Sequence, residues 1–398
     1  MTLARTTDPD AAPSWQGRFP ANDIISLLDV NRRFNLAEST SQDLSFGELM
    51  DLIGLETVHD LRLGYGSAQG NPLLRAEIGK MTGISPDMVL TTQGTALALY
   101  LLAIELCRPG DEVVLFTPCF PPSRDTLLGA GVTVREVPLR LDDGFRVDLA
   151  RFEDALTPAT KLVSIATPQN PSGVSTPVET IDTMLEVMAR KAPGAILFVD
   201  ETYRSATYGD APTPKSVADR DPRIISAASV SKALGAPGLR VGWMTTADAA
   251  LRERLMTAKM NIVISGSPLD EALAAHLISR REAVLAPRRA LLGRAITTVA
   301  EWQASEADRI EWVRPDGGAL CCMRLRSERF DDAAIARFWA AQENRGLQLA
   351  SGAWFGAADR TFRLGFGYLP LEVLPQALAE VSGAMDDAQT MTPSPLAG

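Results

Sequence analysis

The stretch KLVSIATPQNPSG, residues 161–173, is followed by AILFVDETY, residues 195–203, and RIISAASVSKALGAPGLRVGW, residues 223–243. In each stretch a short, mainly apolar run is followed by polar residues or glycine. Between the first two lies VETIDTMLEVMARKA, residues 178–192, in which apolar residues recur every three or four positions, as on one face of a helix. Alternation of this kind predicts an α/β domain with a mostly parallel sheet between helices.

The same alternation extends from about Leu55 to Thr246 and supplies seven candidate strands: MVLTTQ, DEVVLFTP, VTVREVPL, KLVSIATP, AILFVDE, RIISAAS and RVGWMTT. From about Pro268 a long helical region follows, in which Pro287 predicts a break or kink. GGALCCMRL and TFRLGFG then predict strands of a smaller α+β unit. We expect an N-terminal segment over residues 1–50 that packs on the small unit, a large domain over 51–280 and a small domain over 281–398.

Composition favours a small-molecule enzyme. The 398 residues are 46% hydrophobic and carry a formal net charge of −10, which argues against nucleic acid as a partner. The four cysteines have no CxxC spacing and there are only two histidines, so no metal site is expected. No apolar signal core or membrane span is found, which predicts a cytoplasmic protein. A nicotinamide dehydrogenase is disfavoured because no GxGxxG follows an early strand.

Polar residues that could carry chemistry follow three of the predicted strands: Asn170 after the first, Asp200 and Tyr203 after the second, and Ser229, Ser231 and Lys232 after the third. Each has an ordinary explanation when taken alone, as a helix cap, a turn or a solvated lysine. Because the carboxyl ends of parallel strands form the usual ligand crevice of such folds, their coincidence favours a functional site.

The residue types suggest a particular chemistry. A lysine that is activated by its neighbours forms Schiff bases with carbonyls. A pyridine cofactor needs a carboxylate such as Asp200 at its ring nitrogen, and Tyr203 and Asn170 can donate to a phenolate oxygen. In TTQGTALALYLL, Gly94 and Thr95 lie where a strand turns into a helix, which is a favourable place for a phosphate.

Four segments in order, TPQNPSG, DETY, SVSKALGAPGLRVGW and RLGFG, resemble the class I/II aminotransferases, the fold type I enzymes that depend on pyridoxal 5'-phosphate. The resemblance covers the chain from about Phe34 to the last helix. It implies a large domain with a mostly parallel seven-stranded sheet, a smaller α+β domain, and transfer of an amino group between an L-amino acid and a 2-oxo acid.

The resemblance also implies roles for individual residues. Lys232 would hold the cofactor as a Schiff base and then move protons, Asp200 would pair with the pyridine nitrogen, and Tyr203 and Asn170 would hold the phenolate oxygen. The phosphate would be bound by Gly94, Thr95, Ser229 and Arg240, with help from Ser231.

Further roles concern the ring, the substrate and the partner subunit. Phe120 occupies the place of the aromatic residue that stacks on the cofactor ring. Arg363 would grip the substrate carboxylate, a task that suits the forked guanidinium, and Asn170 would assist. Tyr65 matches the tyrosine that reaches the phosphate of the neighbouring subunit, which implies a homodimer with shared active sites.

The segment FNLAESTSQDLSF, residues 34–46, is expected to close over the substrate and departs from the usual Gly-rich pattern. Within it, Glu38 and its neighbours resemble the AEN segment of aminocyclopropane carboxylate synthases. FGEL and WFGAADRTFRLGFG resemble segments of capreomycidine synthases, which cyclise a hydroxyarginine. An alternative function is therefore a lyase or cyclase of secondary metabolism, in which Glu38 binds a guanidinium or amine or acts as a second base.

Two other interpretations remain. Glu38 could be an ordinary surface residue in a salt bridge. A regulatory protein that only binds the cofactor is a further alternative, but such relatives carry an additional DNA-binding domain before this fold, and the short acidic N-terminus is expected to leave no room for one.

Overall fold

The computed structural model describes residues 19–20, 30 and 32–390, so most of the predicted N-terminal segment before residue 32 lies outside the described residues. The strands are β1 (Phe34–Asn35), β2 (Val89–Thr92), β3 (Glu112–Thr117), β4 (Thr133–Pro138), β5 (Thr160–Ala166), β6 (Ile196–Asp200), β7 (Ile224–Ser229), β8 (Gly242–Thr245), β9 (Ile310–Trp312), β10 (Leu320–Leu325), β11 (Leu347–Gln348), β12 (Ala350–Ser351) and β13 (Thr361–Gly365). The α-helices are α1 (Phe46–Ile53), α2 (Glu56–His59), α3 (Pro72–Thr82), α4 (Thr95–Leu106), α5 (Pro121–Gly129), α6 (Leu149–Ala155), α7 (Val178–Lys191), α8 (Ala249–Val263), α9 (Pro268–Ser279), α10 (Arg281–Ser305), α11 (Asp332–Asn344) and α12 (Leu374–Thr390).

A seven-stranded sheet in the order β2-β8-β7-β6-β5-β3-β4 forms the centre of the larger unit. β8 runs antiparallel to both of its neighbours, and the pairs from β7 to β4 are parallel. Each of the seven predicted strands is present. The predicted α/β fold, with a mostly parallel seven-stranded sheet, is therefore confirmed.

Helices cover both faces of this sheet. On one face, apolar residues of α6 and α7 such as Phe152 and Met184 pack on the buried strands. On the other face, α4, α5 and α8 contribute residues such as Leu101, Leu127 and Leu255. Strands that are buried on both faces have few sites for polar side chains except at their ends, which is where the predicted functional residues lie.

The amphipathic segment predicted between β5 and β6 shows why a helix forms there. In α7, Ile181, Met184, Leu185 and Met188 are buried on one stripe, as their three and four spacing predicts. Glu179 lies in the first turn, and Arg190 and Lys191 lie in the last turn, which suits the helix dipole.

The smaller unit contains an antiparallel sheet in the order β12-β13-β10-β9. β1 pairs in parallel with β11, so Phe34 lies opposite Leu347 and the chain before the large sheet is attached to the C-terminal region. The boundaries of the three predicted regions stay a prediction.

The long helical region after Pro268 does not break where its proline suggested. α9 ends at Ser279 and α10 starts at Arg281, whereas Pro287 lies inside α10, which continues to Ser305. A proline removes one backbone hydrogen bond, and here buried residues on both sides of it, including Leu285 and Leu292, anchor the helix to the core. The break predicted at Pro287 was therefore wrong, while the alternative, a kink at Pro287, stays a prediction. Within residues 32–390, no helix is long and apolar enough to cross a membrane.

Candidate active site

The carboxyl ends of β5, β6 and β7 meet at one edge of the large sheet. Asp200 at the end of β6 lies opposite Ala166 of β5 and Ala227 of β7. The loops that follow these strands carry Asn170 and Lys232 to the same edge, where both side chains line one pocket with Asp200 and Tyr203. The sheet thus brings together residues from three separate predicted strands.

The amine of Lys232 lies in a hydrogen-bonded setting at the centre of this edge. Its Nζ donates to Oγ of Ser39 at 3.0 Å and lies 5.8 Å from the ring centroid of Tyr203. The Tyr203 hydroxyl also donates to Ser39 Oγ, at 2.9 Å, and accepts from Asn170 Nδ2 at 3.3 Å. The amine, the phenol and the amide therefore form one connected group.

Asp200 is clamped from one side by Thr202. The backbone N–H and the hydroxyl of Thr202 donate to Oδ1 of Asp200 at 2.9 and 2.5 Å. Removal from water raises the pKa of Asp200, while the two bonds from Thr202 and the charge of Lys232 oppose that shift. Among the described residues none donates to Oδ2, so a carboxylate on the pocket wall has one oxygen available for a ligand.

The rest of the pocket wall is mostly apolar. It includes Phe120 and Cys119 after β3, Thr95 at the start of α4, and Ile165 of β5. Burial raises the pKa of the Cys119 thiol to about 12, so this thiol stays protonated near neutral pH and does not compete with Lys232 as a nucleophile.

The first turn of α4 forms one end of the site. Gly94 is its N-cap residue, with φ +85° and ψ 170°, and no side chain caps the helix. A Cβ atom built on Gly94 would lie 2.9 Å from Nη2 of Arg240, so the absence of a side chain keeps this corner open. Free helical N–H groups beside a guanidinium are suited to an anion such as a phosphate.

The other residues expected at the phosphate are Ser229, Ser231 and Arg240, which lie between the end of β7 and the start of β8. Arg240 is exposed and has φ +51°, in the left-handed region, and its Nη1 donates to the Pro237 carbonyl at 2.9 Å. Ser229 ends β7, and its Oγ accepts from the N–H of Ser231 at 3.3 Å. Ser231 takes part in this turn through its backbone.

Arg363 on β13 connects the small unit to the pocket. The residue is 2% exposed, and its guanidinium donates to Asn170 Oδ1 at 3.0 Å and to the carbonyl of Ala37. It also lies 4.9 Å from the ring centroid of Phe355. Its Nε is buried without a hydrogen-bond partner among the described residues, which leaves a donor for a ligand.

Two predicted residues lie outside this group. Glu38 is half-buried and near enough to Arg363, Asp43 and Tyr368 for its charge to act on their ionisation. The side chain of Tyr65 is 87% exposed on the surface of the single chain. Tyr65 therefore has no part in the site of its own chain.

Sequence reasoning missed Ser39 and Thr202 as members of the site. Thr202 stands within the DETY segment, so its position next to Asp200 was a usable signal. Ser39 contacts Lys232 across 193 positions of sequence, and its only signal was the departure of NLAES from the Gly-rich pattern.

These residues fit pyridoxal 5'-phosphate. The carboxylate of Asp200 has a free oxygen on the pocket wall for a protonated ring nitrogen, and Phe120 lines the same wall for a planar ring. The uncapped start of α4, with the corner that a Cβ at Gly94 would fill, provides for the phosphate. The amine of Lys232 opens onto the same pocket, where an aldehyde could reach it.

Comparison with known proteins agrees with this geometry. The family model described as aminotransferase class I and II matches residues 50–381. Capreomycidine synthase from Streptomyces vinaceus is 30% identical over 387 residues, which are 96% of each chain. The arginine–pyruvate transaminase of Pseudomonas aeruginosa is 27% identical over 328 residues, 80% of this chain and 81% of that relative.

The fold is also found among solved structures. A PLP-dependent aminotransferase from Streptococcus suis superimposes with a TM-score of 0.84 at 22% identity, covering 94% of this chain and 100% of that one. The family model spans most of the sequence and the pocket fits the cofactor. The chain therefore belongs to the class I and II aminotransferases, the fold type I enzymes that work with pyridoxal 5'-phosphate.

Proposed function

We propose that the protein transfers an amino group between an L-amino acid and a 2-oxo acid, with Lys232 as the residue that carries the cofactor. The observation that supports this most strongly is the shared pocket wall of Lys232 and Asp200, with Arg363 linked to it through Asn170. An amine, a ring partner and a carboxylate binder are the three groups that amino-acid chemistry on this cofactor needs.

Bound pyridoxal 5'-phosphate supplies an electron sink for charge that develops at the substrate Cα. In our proposal Asp200 keeps the ring nitrogen protonated, and Tyr203 and Asn170 hold the phenolate oxygen. Lys232, once its amine is free, would take the proton from the substrate Cα as general base and deliver it to the C4' carbon of the cofactor as general acid. Gly94, Thr95, Ser229 and Arg240 hold the phosphate, with Ser231 supporting the turn.

Arg363 is proposed to bind the substrate carboxylate. Burial lowers the pKa of its guanidinium, while the Tyr203 and Glu38 charges oppose that shift, and arginine remains a cation under all ordinary conditions. Its Nε has no partner among the described residues, which supports this role because the guanidinium can then form two parallel hydrogen bonds to a carboxylate, one of them from Nε. Asn170 orients it through the bond to Nη1.

An arginine-type amino acid is the proposed substrate class. Glu38 is near enough to Arg363, and Asp43 near enough to Lys232, for their charges to interact, which supports negative charge close to these two residues. A carboxylate pairs well with a guanidinium, and one relative is named as an arginine–pyruvate transaminase. If Glu38 binds the side chain, Glu38→Gln should lower kcat/KM for arginine far more than for citrulline, in which a neutral urea replaces the guanidinium. Equal losses for both would contradict this role.

A second candidate is cyclisation or elimination on an amino acid of the same class. It is supported by the match to capreomycidine synthase over nearly the whole of both chains and by the NLAES segment, which replaces the Gly-rich pattern. Glu38 would then serve as a second base.

Dependence on the 2-oxo acid separates the two reactions. The holoenzyme is mixed with arginine, hydroxyarginine, ornithine, aspartate and aromatic amino acids, with and without pyruvate, and products are measured by mass spectrometry. Transamination stops after one equivalent of 2-oxo acid product per site when pyruvate is absent. Repeated turnover without pyruvate, with loss of water or ammonia, would contradict the first proposal and support the second.

We also propose a homodimer with shared active sites. Tyr65 and Leu63 are large and highly exposed, and the N–H of Gly66 beside them donates to Ser265 Oγ at 3.3 Å. An exposed apolar segment of this kind is typical of a surface that another subunit covers.

The dimer proposal has a direct test. Lys232→Ala and Tyr65→Ala homodimers are unfolded together and refolded as a mixture. If Tyr65 serves the partner's site, each mixed dimer contains one site with both residues intact, and activity rises above that of either parent. No rise would contradict sharing of the sites.

The four free, buried cysteines support a reducing compartment, for which we propose the cytoplasm.

A further inference from the structure

Ser39 is a buried hydroxyl in contact with the reacting amine. Its side chain belongs to residues 36–41, a segment that we call the N-terminal strap, and Ser39 is 3% exposed. Its Oγ lies 3.0 Å from Lys232 Nζ and 2.9 Å from the Tyr203 hydroxyl. Ser39 is thus a direct hydrogen-bond partner of the lysine amine from outside the strand-end loops.

The strap is fixed firmly enough to position this hydroxyl. At its start, the N–H of Leu36 donates to the Gln348 carbonyl at 2.9 Å, and the Leu36 carbonyl accepts from the N–H of Gly365 at 2.6 Å. Further along, the Thr40 hydroxyl lies 3.0 Å from the Ser41 carbonyl and 3.3 Å from the backbone carbonyl of Lys232, so its one hydrogen is shared between these two acceptors. The strap is therefore tied both to the small unit and to the lysine loop.

Hydrogen bonds connect Ser39 to the proposed carboxylate binder. A continuous series joins Lys232, Ser39, Tyr203, Asn170 and Arg363. In this series Ser39 accepts two bonds and keeps its own hydrogen available for donation. The hydroxyl can therefore hold the amine whether the amine donates or accepts.

We propose that Ser39 is a catalytic residue that docks the Lys232 amine, both before the cofactor is attached and after a substrate has displaced the lysine. Lysine has a flexible four-carbon stem, so a free amine needs an anchor to stay close to the atoms with which it reacts. Tyr203 also faces other partners, whereas Ser39 is the hydroxyl that Nζ contacts. This inference rests on the proposed role of Lys232.

Matched variants separate docking from mere packing. Ser39→Ala removes the hydroxyl, Ser39→Thr retains it, and Ser41→Ala makes the same change at another buried serine of the strap, whose side chain has no bond to Lys232. Two rates are measured for each: attachment of pyridoxal 5'-phosphate to the apoprotein, and the first half-reaction of the holoenzyme with an amino acid deuterated at Cα.

With Ser39→Ala we expect attachment of the cofactor to slow about tenfold, because one hydrogen bond to a charged group is lost. We also expect the deuterium isotope effect on the first half-reaction to increase. Ser39→Thr and Ser41→Ala should stay near the wild type. Wild-type rates in Ser39→Ala, or an equal loss in Ser41→Ala, would overturn the docking role. If Ser39→Ala does not fold, Ser39→Gly, which also lacks the hydroxyl, takes its place. A fall in the attachment rate in Ser39→Thr as large as in Ser39→Gly would then overturn the docking role. Failure of the wild type itself to attach the cofactor at Lys232 would overturn the proposed function as well.

Discussion

Gly94 gives the most informative single substitution at the phosphate end of the site. Its φ of +85° with ψ of 170° belongs to a region that is open almost only to glycine, so Gly94→Ala should cost about 1–3 kcal/mol in the free energy of unfolding. The new Cβ would also lie 2.9 Å from Arg240 Nη2 and displace the guanidinium. Loss of one charge-assisted bond to the phosphate, about 1.5–3 kcal/mol, predicts cofactor binding weaker by about 10- to 150-fold.

The assay is equilibrium titration of apoprotein with pyridoxal 5'-phosphate, together with denaturant unfolding. Gly83→Ala is the control, because Gly83 at the end of α3 also has positive φ, +81°, but has no atom within 4 Å of its would-be Cβ. It should lose stability while binding the cofactor normally. Wild-type affinity in Gly94→Ala, or equal losses of affinity in both variants, would refute the assignment of this corner to the phosphate.

Three further outcomes are expected at the other residues. Arg363→Lys should lower kcat/KM for amino acids by about 10- to 150-fold, because the second of two parallel bonds is lost, with unchanged cofactor affinity in the same titration. Thr202→Val removes a bond that holds down the pKa of Asp200, so the acid limb of the pH–rate profile should move to higher pH, whereas Thr202→Ser should leave it in place. Since burial raises the pKa of Asp200, its contribution to apoprotein stability is present at low pH and is lost as pH rises through the folded-state pKa. Asp200→Asn should therefore be the more stable apoprotein at neutral pH in denaturant unfolding, and a less stable variant would contradict this reasoning.

The fold was largely predictable because its signals are local. Runs of buried β-branched residues such as those of β5 and β7 are visible in the sequence without knowledge of their neighbours, and α7 shows its buried stripe directly. The break expected at Pro287 failed because the cost of one missing hydrogen bond is small beside the burial of a 25-residue helix.

The site was predictable where it follows from strand ends and unpredictable where it depends on tertiary path. Asp200, Asn170 and Lys232 meet because parallel strands end at one edge. Ser39 reaches Lys232 only because the N-terminal strap pairs with the C-terminal unit, and no periodicity in the sequence encodes that path. Substrate-side residues such as Glu38 depend in the same way on long-range packing.

Reduction of the holoenzyme with borohydride, followed by peptide mapping, tests the central claim most directly. Lys259 is the instructive competitor, since it is fully buried and burial lowers its pKa to about 8. Its amine, however, donates to the Ala68 carbonyl at 2.8 Å and to Thr91 Oγ1 at 3.1 Å, and it does not line the pocket. We expect the cofactor to be fixed to the peptide that contains Lys232. Fixation at Lys259 or at any other lysine would contradict the assignment of Lys232.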